Sequence, residues 1–521
     1  MARVSWISHL VLLLVLLQLL PTPTTASPWS ITHYPTKGGT FDLTFNGQTI
    51  LKNGCPSIQP KKTICQSKSI NSTLSPVPTR GHDSKLGNYT QNVITWESNS
   101  PTFIIVLLEI ISFDAAPVVH LNLQFPNGID TNFVSPLYEA AWSIGAGLMT
   151  RVLDVPMDND VQSFYLSLSP FITSGTSMFV TSFYDEKSKK GLVLGFLNNN
   201  EFKNGIEYGP LHVNCVSGIN GEIITRDVNS HGIVYNMIHA PTLSIGMYSD
   251  WRDGMEKYAA MQKENNGMPA PLPTNYLNNQ PYGGWNSWAM SAAGIGQPNA
   301  SIMNAAIDTM HSLQSNQSNQ SNNAFTNQYI TRDAVYGMNT TATAQWVNKA
   351  YQNGQGVGTY DSPVIYWHGK DDPIQTISCN NGPETCNVST NSTCWYVNDV
   401  VVKDKNGNWI RDAFARIENG PQHVRDVTHP SWKCMMERNI HRQINVYKYN
   451  LLKEDFLNLA AYEAHKYYNT SIATTGMMAY HYALTVIATL VNGRAMIDYG
   501  ISLPLPVGPA GHSRHSGCEQ M

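Results

Sequence analysis

Lys453 and Asp455 stand two residues apart near the end of the apolar and aromatic stretch Val446 to Phe456. Asp333 closes the stretch Asn327 to Asp333, Trp288 closes a short one from Trp285, and Tyr360 closes Gly356 to Tyr360. A last polar cluster holds His512, Arg514, His515, Cys518 and Glu519. The set contains carboxylates that could flank a bond, a lysine beside one of them, and aromatic walls. Cleavage of a glycosidic bond needs such a pair: one carboxylate attacks the anomeric carbon and the other protonates the leaving oxygen. The plain structural alternative is that Lys453 and Asp455 form a salt-bridged strand end. His512, His515 and Cys518 have metal-like spacing, but no second ligand cluster accompanies them, so neither a metal nor another cofactor is expected.

Such residues work only if the chain gathers them at one place. From Gly284 onward short strands alternate with helices. Helices are predicted over Ala300–Leu313, Thr343–Asn353, Trp432–Ile444 and Thr475–Val491, with strands between them and a last one over Ala495–Leu505. This alternation predicts a parallel sheet, and its length suits a β/α barrel, whose chemistry sits at the C-terminal ends of the strands. Trp288, Asp333, Tyr360, Lys453 and Asp455 all fall at such ends. Asp404 to Asn408 is predicted to be a turn around Asn406-Gly407 rather than a calcium loop, because its glycine is misplaced for calcium. Asp426 and Thr428 are expected to cap the helix that Pro430 opens.

The preceding 27–264 reads differently. Val118 to Phe125 alternates apolar and polar residues, and Met178–Phe183 with Gly191–Phe196 reads as a hairpin. Long helical periods are absent until Trp251–Lys263, so this part is expected to be a β-sandwich. Residues 265–283 are rich in Asn, Pro and Gly and read as a linker. The expected class is therefore multidomain β plus α/β: an N-terminal β-sandwich, then a (β/α)8-type (TIM) barrel over 284–521 that is incomplete. The chain supplies five β/α units and the approach to a sixth, whereas eight close a barrel.

Charged residues make up 13% of the 521 and the formal net charge is −4, which excludes a polycationic nucleic-acid binder. Arg3 precedes the apolar run Val11 to Leu20, and small residues lead to Ala26. Residues 1–26 thus read as a secretory signal peptide, with no membrane anchor left after its removal. Nine N-x-S/T sequons, from Asn71 to Asn469, fit a glycosylated protein of the secretory pathway. The eight cysteines are too sparse for a disulfide scaffold and staple loops at most; Cys55 with Cys65 is one short loop.

Several segments resemble motifs of the α-galactosidase-type glycoside hydrolases, families 27 and 36. Gly284-Trp285-Asn286-Ser287-Trp288 resembles their first-strand motif, and Tyr329 to Asp333 their second. Asn353 to Tyr360 is similar to the third strand, and Asp426-Val427-Thr428-His429-Pro430 to the segment before the fourth. Lys453-Glu454-Asp455-Phe456-Leu457 matches K-x-D-F-L, and Gly511 to Glu519 resembles G-H-x-R-R-x-x-C-D. The resemblance spans roughly residues 90 to 519. It implies that Asp455 is the nucleophile of a retaining exo-α-galactosidase and that Glu519 is the acid/base. It gives Lys453, Asp333, Trp288, Tyr360 and Arg514 to sugar binding, so the partner is a carbohydrate.

Three positions depart from the pattern. Ala334 follows the second-strand aspartate, His515 replaces an arginine, and Glu519 replaces an aspartate. The last change moves a carboxyl by about 1 Å, a displacement that can cost ~100-fold in rate. Two classes of function follow: a glycosidase acting on terminal α-linked galactose, or an inactive carbohydrate-binding chain on the same scaffold. Within the first, N-acetylgalactosamine and β-L-arabinopyranose remain alternatives.

Overall fold

The computed structural model describes residues 27–59, 62–67, 70–98, 105–144, 150–155, 175–209, 212–217, 232–266, 282–287, 298–317, 327–332, 340–366, 376–378, 394–411 and 423–499. The predicted signal peptide, most of the predicted linker, and Trp288, Asp333, Arg514 and Glu519 lie outside these residues.

Alternating residues build the first half. Along Val118–Thr131, Val119, Leu121, Leu123 and Phe125 are buried on one side. The neighbouring strand Ile105–Phe113 sets Leu108 opposite Leu123 and Ile110 opposite Leu121, so its own apolar set joins the same face. Among the described residues ten strands form this antiparallel sheet and eight form another, which includes Thr40–Phe45, Gln48–Gln59 and Val134–Trp142. Phe41, Leu43, Leu51 and Leu137 of the second sheet share one apolar core with Leu108, Leu121 and Phe183 of the first. A one-residue slip in either sheet would turn these side chains to water, and that fixes the registers. The predicted hairpin is present as Val180–Asp185 paired with Gly191–Phe196, and Cys55 is bonded to Cys65.

The helix Trp251–Asn265 closes this half, N-capped by Asp250, whose carboxylate accepts from Arg252 N. It packs across Gly191–Phe196 and Leu243–Tyr248. Close approach requires Gly195 there, since a Cβ would meet the Tyr258 ring at 2.4 Å. The Tyr258 hydroxyl donates to Phe196 O at 2.6 Å, which satisfies its one buried polar group.

Among the described residues the second half contains five parallel strands in sequential order: Tyr282–Asn286, Asn327–Arg332, Gly356–Asp361, Leu451–Glu454 and Met496–Tyr499. The helices Ala300–Gln317, Thr340–Gln352, Pro430–Ile440 and Gly476–Val491 lie between them in the chain. Ile330, Val357 and Leu452 pack with Met303, Ile307, Trp346 and Met436 of these helices in one core. No helix among the described residues is long and apolar enough to cross a membrane. Gly476–Val491 is nonetheless apolar on most sides, and it buries Met477, Tyr480, Leu484 and Ile487. Gly476 lets it seat directly on Ala461, whose carbonyl oxygen would lie 2.0 Å from an added Cβ.

Two expectations are corrected. The fourth strand is only Leu451–Glu454, because the preceding helix runs on as a π-helical turn through His441–Val446. Lys448 then takes a left-handed φ of 62°, and strand pairing begins where Asn450 N donates to Val357 O. The apolar residues Tyr447 and Tyr449 therefore pack beside a turn, although their pattern reads as strand. The helix cap is His429, not Asp426 or Thr428. A residue before proline is driven to extended backbone, and His429 sits at φ −78°, ψ 136° with its ring accepting from Ser431 N. Asp426 instead accepts from Thr428 N and from Tyr468 N, and Thr428 Oγ1 accepts from Asn469 N. They tie down the 465–469 segment.

The halves are joined by buried polar groups. Lys203 Nζ lies 3.4 Å from Glu463 Oε1, with both side chains almost fully buried. Glu463 Oε2 accepts from Gly232 N and Gly476 N at 2.7 and 2.9 Å. Burial pushes the Glu463 carboxyl up and the Lys203 ammonium down, while each charge pulls the other back toward its ionised form.

Candidate active site

The site begins with strand register. Tyr360 and Lys453 are partners across the third and fourth parallel strands, and the next pair is Asp361 with Glu454. Successive side chains on a strand face opposite ways, so the two pairs lie on opposite faces of the sheet. Tyr360, Lys453 and Asp455 share one face. The Lys453 Nζ lies 5.8 Å from the centroid of the Tyr360 ring, within range of a cation–π contact. It also lies 3.7 Å from Asp455 Oδ2, with the two side chains 13% and 11% exposed. The salt-bridged strand end anticipated from the sequence is therefore present, and it points to the same face as an aromatic wall.

Asp455 is fixed from both sides. Its N–H donates to Asp361 O at 2.9 Å, which extends the pairing one residue past the strand. Its Oδ1 accepts from Phe456 N at 3.0 Å. Phe456 adopts a left-handed φ of 58°, a conformation that a side chain disfavours by roughly 1 kcal/mol. This turn breaks the strand directly after Asp455 and starts the 3-10 turn Leu457–Ala461. Chemically the arrangement is a carboxylate held in one orientation beside a cation, as a nucleophile needs. Asp498 stands level with Lys453 on the fifth strand.

The opposite face carries two further acids, Asp361 and Glu454. Glu454 is fully buried, and neither carboxylate oxygen has a hydrogen-bond partner among the described residues. Burial holds its proton well above the usual carboxylate range, and the charges of Asp361 and Asp455 add to that. Asp361 is better served: Ser362 N donates to Oδ1 at 2.8 Å and Asn439 Nδ2 to Oδ2 at 3.0 Å. Burial still raises it above the ordinary range. A buried acid next to the K-x-D pair is visible in Lys453-Glu454-Asp455 once strand alternation is applied.

Of the predicted residues, Tyr360, Lys453 and Asp455 come together. Trp288, Asp333, Arg514 and Glu519 fall outside the described residues.

The fold, antiparallel sheets followed by parallel strands that alternate with helices, is shared with solved glycosidase structures. The chain resembles the ligand-free α-N-acetylgalactosaminidase of Bifidobacterium bifidum at 11% identity and TM-score 0.58, covering 91% of this chain and 77% of that one. The complex of that enzyme with GalNAc aligns at 11% identity and TM-score 0.55, over 91% and 76% of the two chains. An α-galactosidase of Thermus thermophilus aligns more loosely, at 13% identity and TM-score 0.40 over 82% and 72%. Neither a protein-family model nor a curated protein matches the chain.

Proposed function

We propose that the chain is a retaining exo-glycosidase acting on terminal α-linked galactose or its N-acetylated counterpart. The observation that carries this reading is the Lys453–Asp455 pair, 3.7 Å apart beside Tyr360 at the C-terminal edge of parallel strands. The shared fold with an α-N-acetylgalactosaminidase supports it. In this reading the sequential parallel strands are the wall of a (β/α)8-type barrel, residues 27–264 are a β-sandwich, and residues 1–26 direct secretion.

Asp455 attacks the anomeric carbon while the Lys453 ammonium, 3.7 Å from its Oδ2, bonds a sugar hydroxyl. The Phe456 N–H donates to Oδ1 and fixes the orientation of the carboxylate. Tyr360 offers its ring to the apolar face of the sugar. Glu519 serves as acid/base, and Trp288, Asp333 and Arg514 complete the pocket. Water then hydrolyses the covalent intermediate with the same acid/base group.

The test is hydrolysis of aryl α-galactoside and aryl α-N-acetylgalactosaminide by the purified chain. Release of one sugar with retained anomeric configuration, lost by at least roughly 1,000-fold in Asp455→Asn, is the expected result. No turnover of either substrate, while the sugar still binds, moves the chain to the inactive carbohydrate-binding class.

A further inference from the structure

A cleft of about 460 Å³ opens where two excursions of the chain meet. One wall is the 394–403 segment, which belongs to the long connection between the third parallel strand and the helix Pro430–Ile440. The other is the 465–468 segment, which follows Asp455 and the fourth strand. Both walls thus leave the C-terminal ends of the strands that carry Tyr360 and Lys453, yet neither of those residues lines the cleft. The volume lies within the ~300–1,000 Å³ typical of small-molecule sites.

The cleft is already formed. Asp426 N donates to Val400 O at 2.8 Å, and His465 N donates to Lys403 O at 2.8 Å. Asp426 Oδ2 accepts from Tyr468 N at 2.7 Å, so the two walls and the helix start are bonded together. A site held in this way loses little entropy when a ligand enters.

Its lining is unusual for a structural crevice. Three rings stand edge to face: Trp395 on His429 at 5.8 Å and His429 on Tyr468 at 4.4 Å. Tyr468 is 60% exposed, a large apolar surface left in water. His429 is only 2% exposed and spends Nδ1 as the acceptor for Ser431 N at 3.1 Å. The proton of the neutral ring is therefore on Nε2, a donor with no partner among the described residues. Burial pushes His429 down to about 4, so the ring stays neutral. Asp399, Lys403 and Lys466 line the same cleft, and none of these side chains makes a hydrogen bond or ion pair among the described residues. Donors and an acceptor thus stand around flat rings, with charges of both signs. An anion would meet Asp399 and a cation would meet both Lys403 and Lys466, whereas a neutral ligand with an apolar face and vicinal hydroxyls would meet no charge of its own sign. That ligand is a pyranose.

The geometry points to a second saccharide-binding site in this cleft, holding a sugar of the substrate glycan beyond the one cleaved. The identity of the glycan rests on the proposed glycosidase reading. The site itself stands on the cleft and its rings.

The experiment compares the full chain with Tyr468→Ala and Asp399→Asn, both exposed positions, using galactose, N-acetylgalactosamine and the tetrasaccharide stachyose as probes. Calorimetry measures binding, and circular dichroism confirms folding. For stachyose, each variant is expected to weaken binding by about tenfold, whereas hydrolysis of an aryl α-galactoside changes little. Stachyose binding unchanged in both folded variants, or absent from the parent chain together with binding of both monosaccharides, overturns the proposal. Stachyose binding that falls in the variants of a chain with no aryl-glycoside turnover upholds the cleft and removes the hydrolase reading. Turnover with unaltered stachyose binding does the reverse.

Discussion

Asp361 and Glu454 are register partners on adjacent parallel strands, on the face of the sheet turned away from Tyr360 and Lys453. Two buried acids side by side, with a third carboxylate at Asp455, cannot all ionise cheaply. Asp361 has Ser362 and Asn439 as donors and Arg425 and Arg438 nearby, whereas Glu454 has no hydrogen-bond partner among the described residues. Glu454 is therefore the acid that keeps its proton.

This predicts an inverted pH dependence. A carboxyl harder to ionise in the folded chain favours folding at low pH. Its contribution is complete below the unfolded value of ~4.3 and is lost as pH rises through the higher folded value. Glu454→Gln keeps the shape and removes the titration. Thermal melts should show the variant equal to the parent near about pH 4 and more stable near about pH 8, where the parent has lost the contribution. A variant less stable at the higher pH would show that the ionised Glu454 is wanted.

In the proposed mechanism Lys453 serves Asp455 and the substrate at once, so its removal should affect both kcat and KM. Lys453→Met is expected to lose roughly 100-fold or more in kcat/KM for an aryl glycoside. Lys453→Arg should not restore it, because a planar fork cannot replace a point charge 3.7 Å from the carboxylate. Steady-state kinetics on the two variants decides this.

The Lys203–Glu463 pair joins the two halves of the chain. Glu463→Gln leaves a buried ammonium without its counter-charge, at a cost of about 3–5 kcal/mol. Lys203→Met in the same chain should recover part of that loss. Urea unfolding of the single and double variants measures both.

Gly195 allows the Trp251–Asn265 helix to lie on its sheet. Gly195→Ala would place a methyl 2.4 Å from the Tyr258 ring, which is buried and bonded to Phe196 O. The expected destabilisation is about 1–3 kcal/mol, read as a lower melting temperature.

Local patterns were legible where one element's chemistry determines its own fate. The alternation in Val118 to Phe125, the helix from Trp251, the helix after Thr475 and the Lys453-x-Asp455 pair can all be read from neighbouring residues. The sequence failed at Val446 to Asn450, where a π-helical turn consumes residues with strand-like composition. It also failed at Asp426 and Thr428, whose partners are Tyr468 and Asn469, some forty positions away.

By itself, then, the sequence determined that antiparallel strands precede parallel ones and that a cation–carboxylate pair stands at a strand end. Periodicity and turn chemistry act over a few residues, and such features need nothing more. Only the tertiary structure decided that Tyr360 stands beside Lys453, that Asp361 and Glu454 share the opposite face, and that Trp395, His429 and Tyr468 enclose a cleft. Those relations depend on register between strands and on the meeting of distant segments. Each is set by the burial of a whole core, and no spacing along the chain records it.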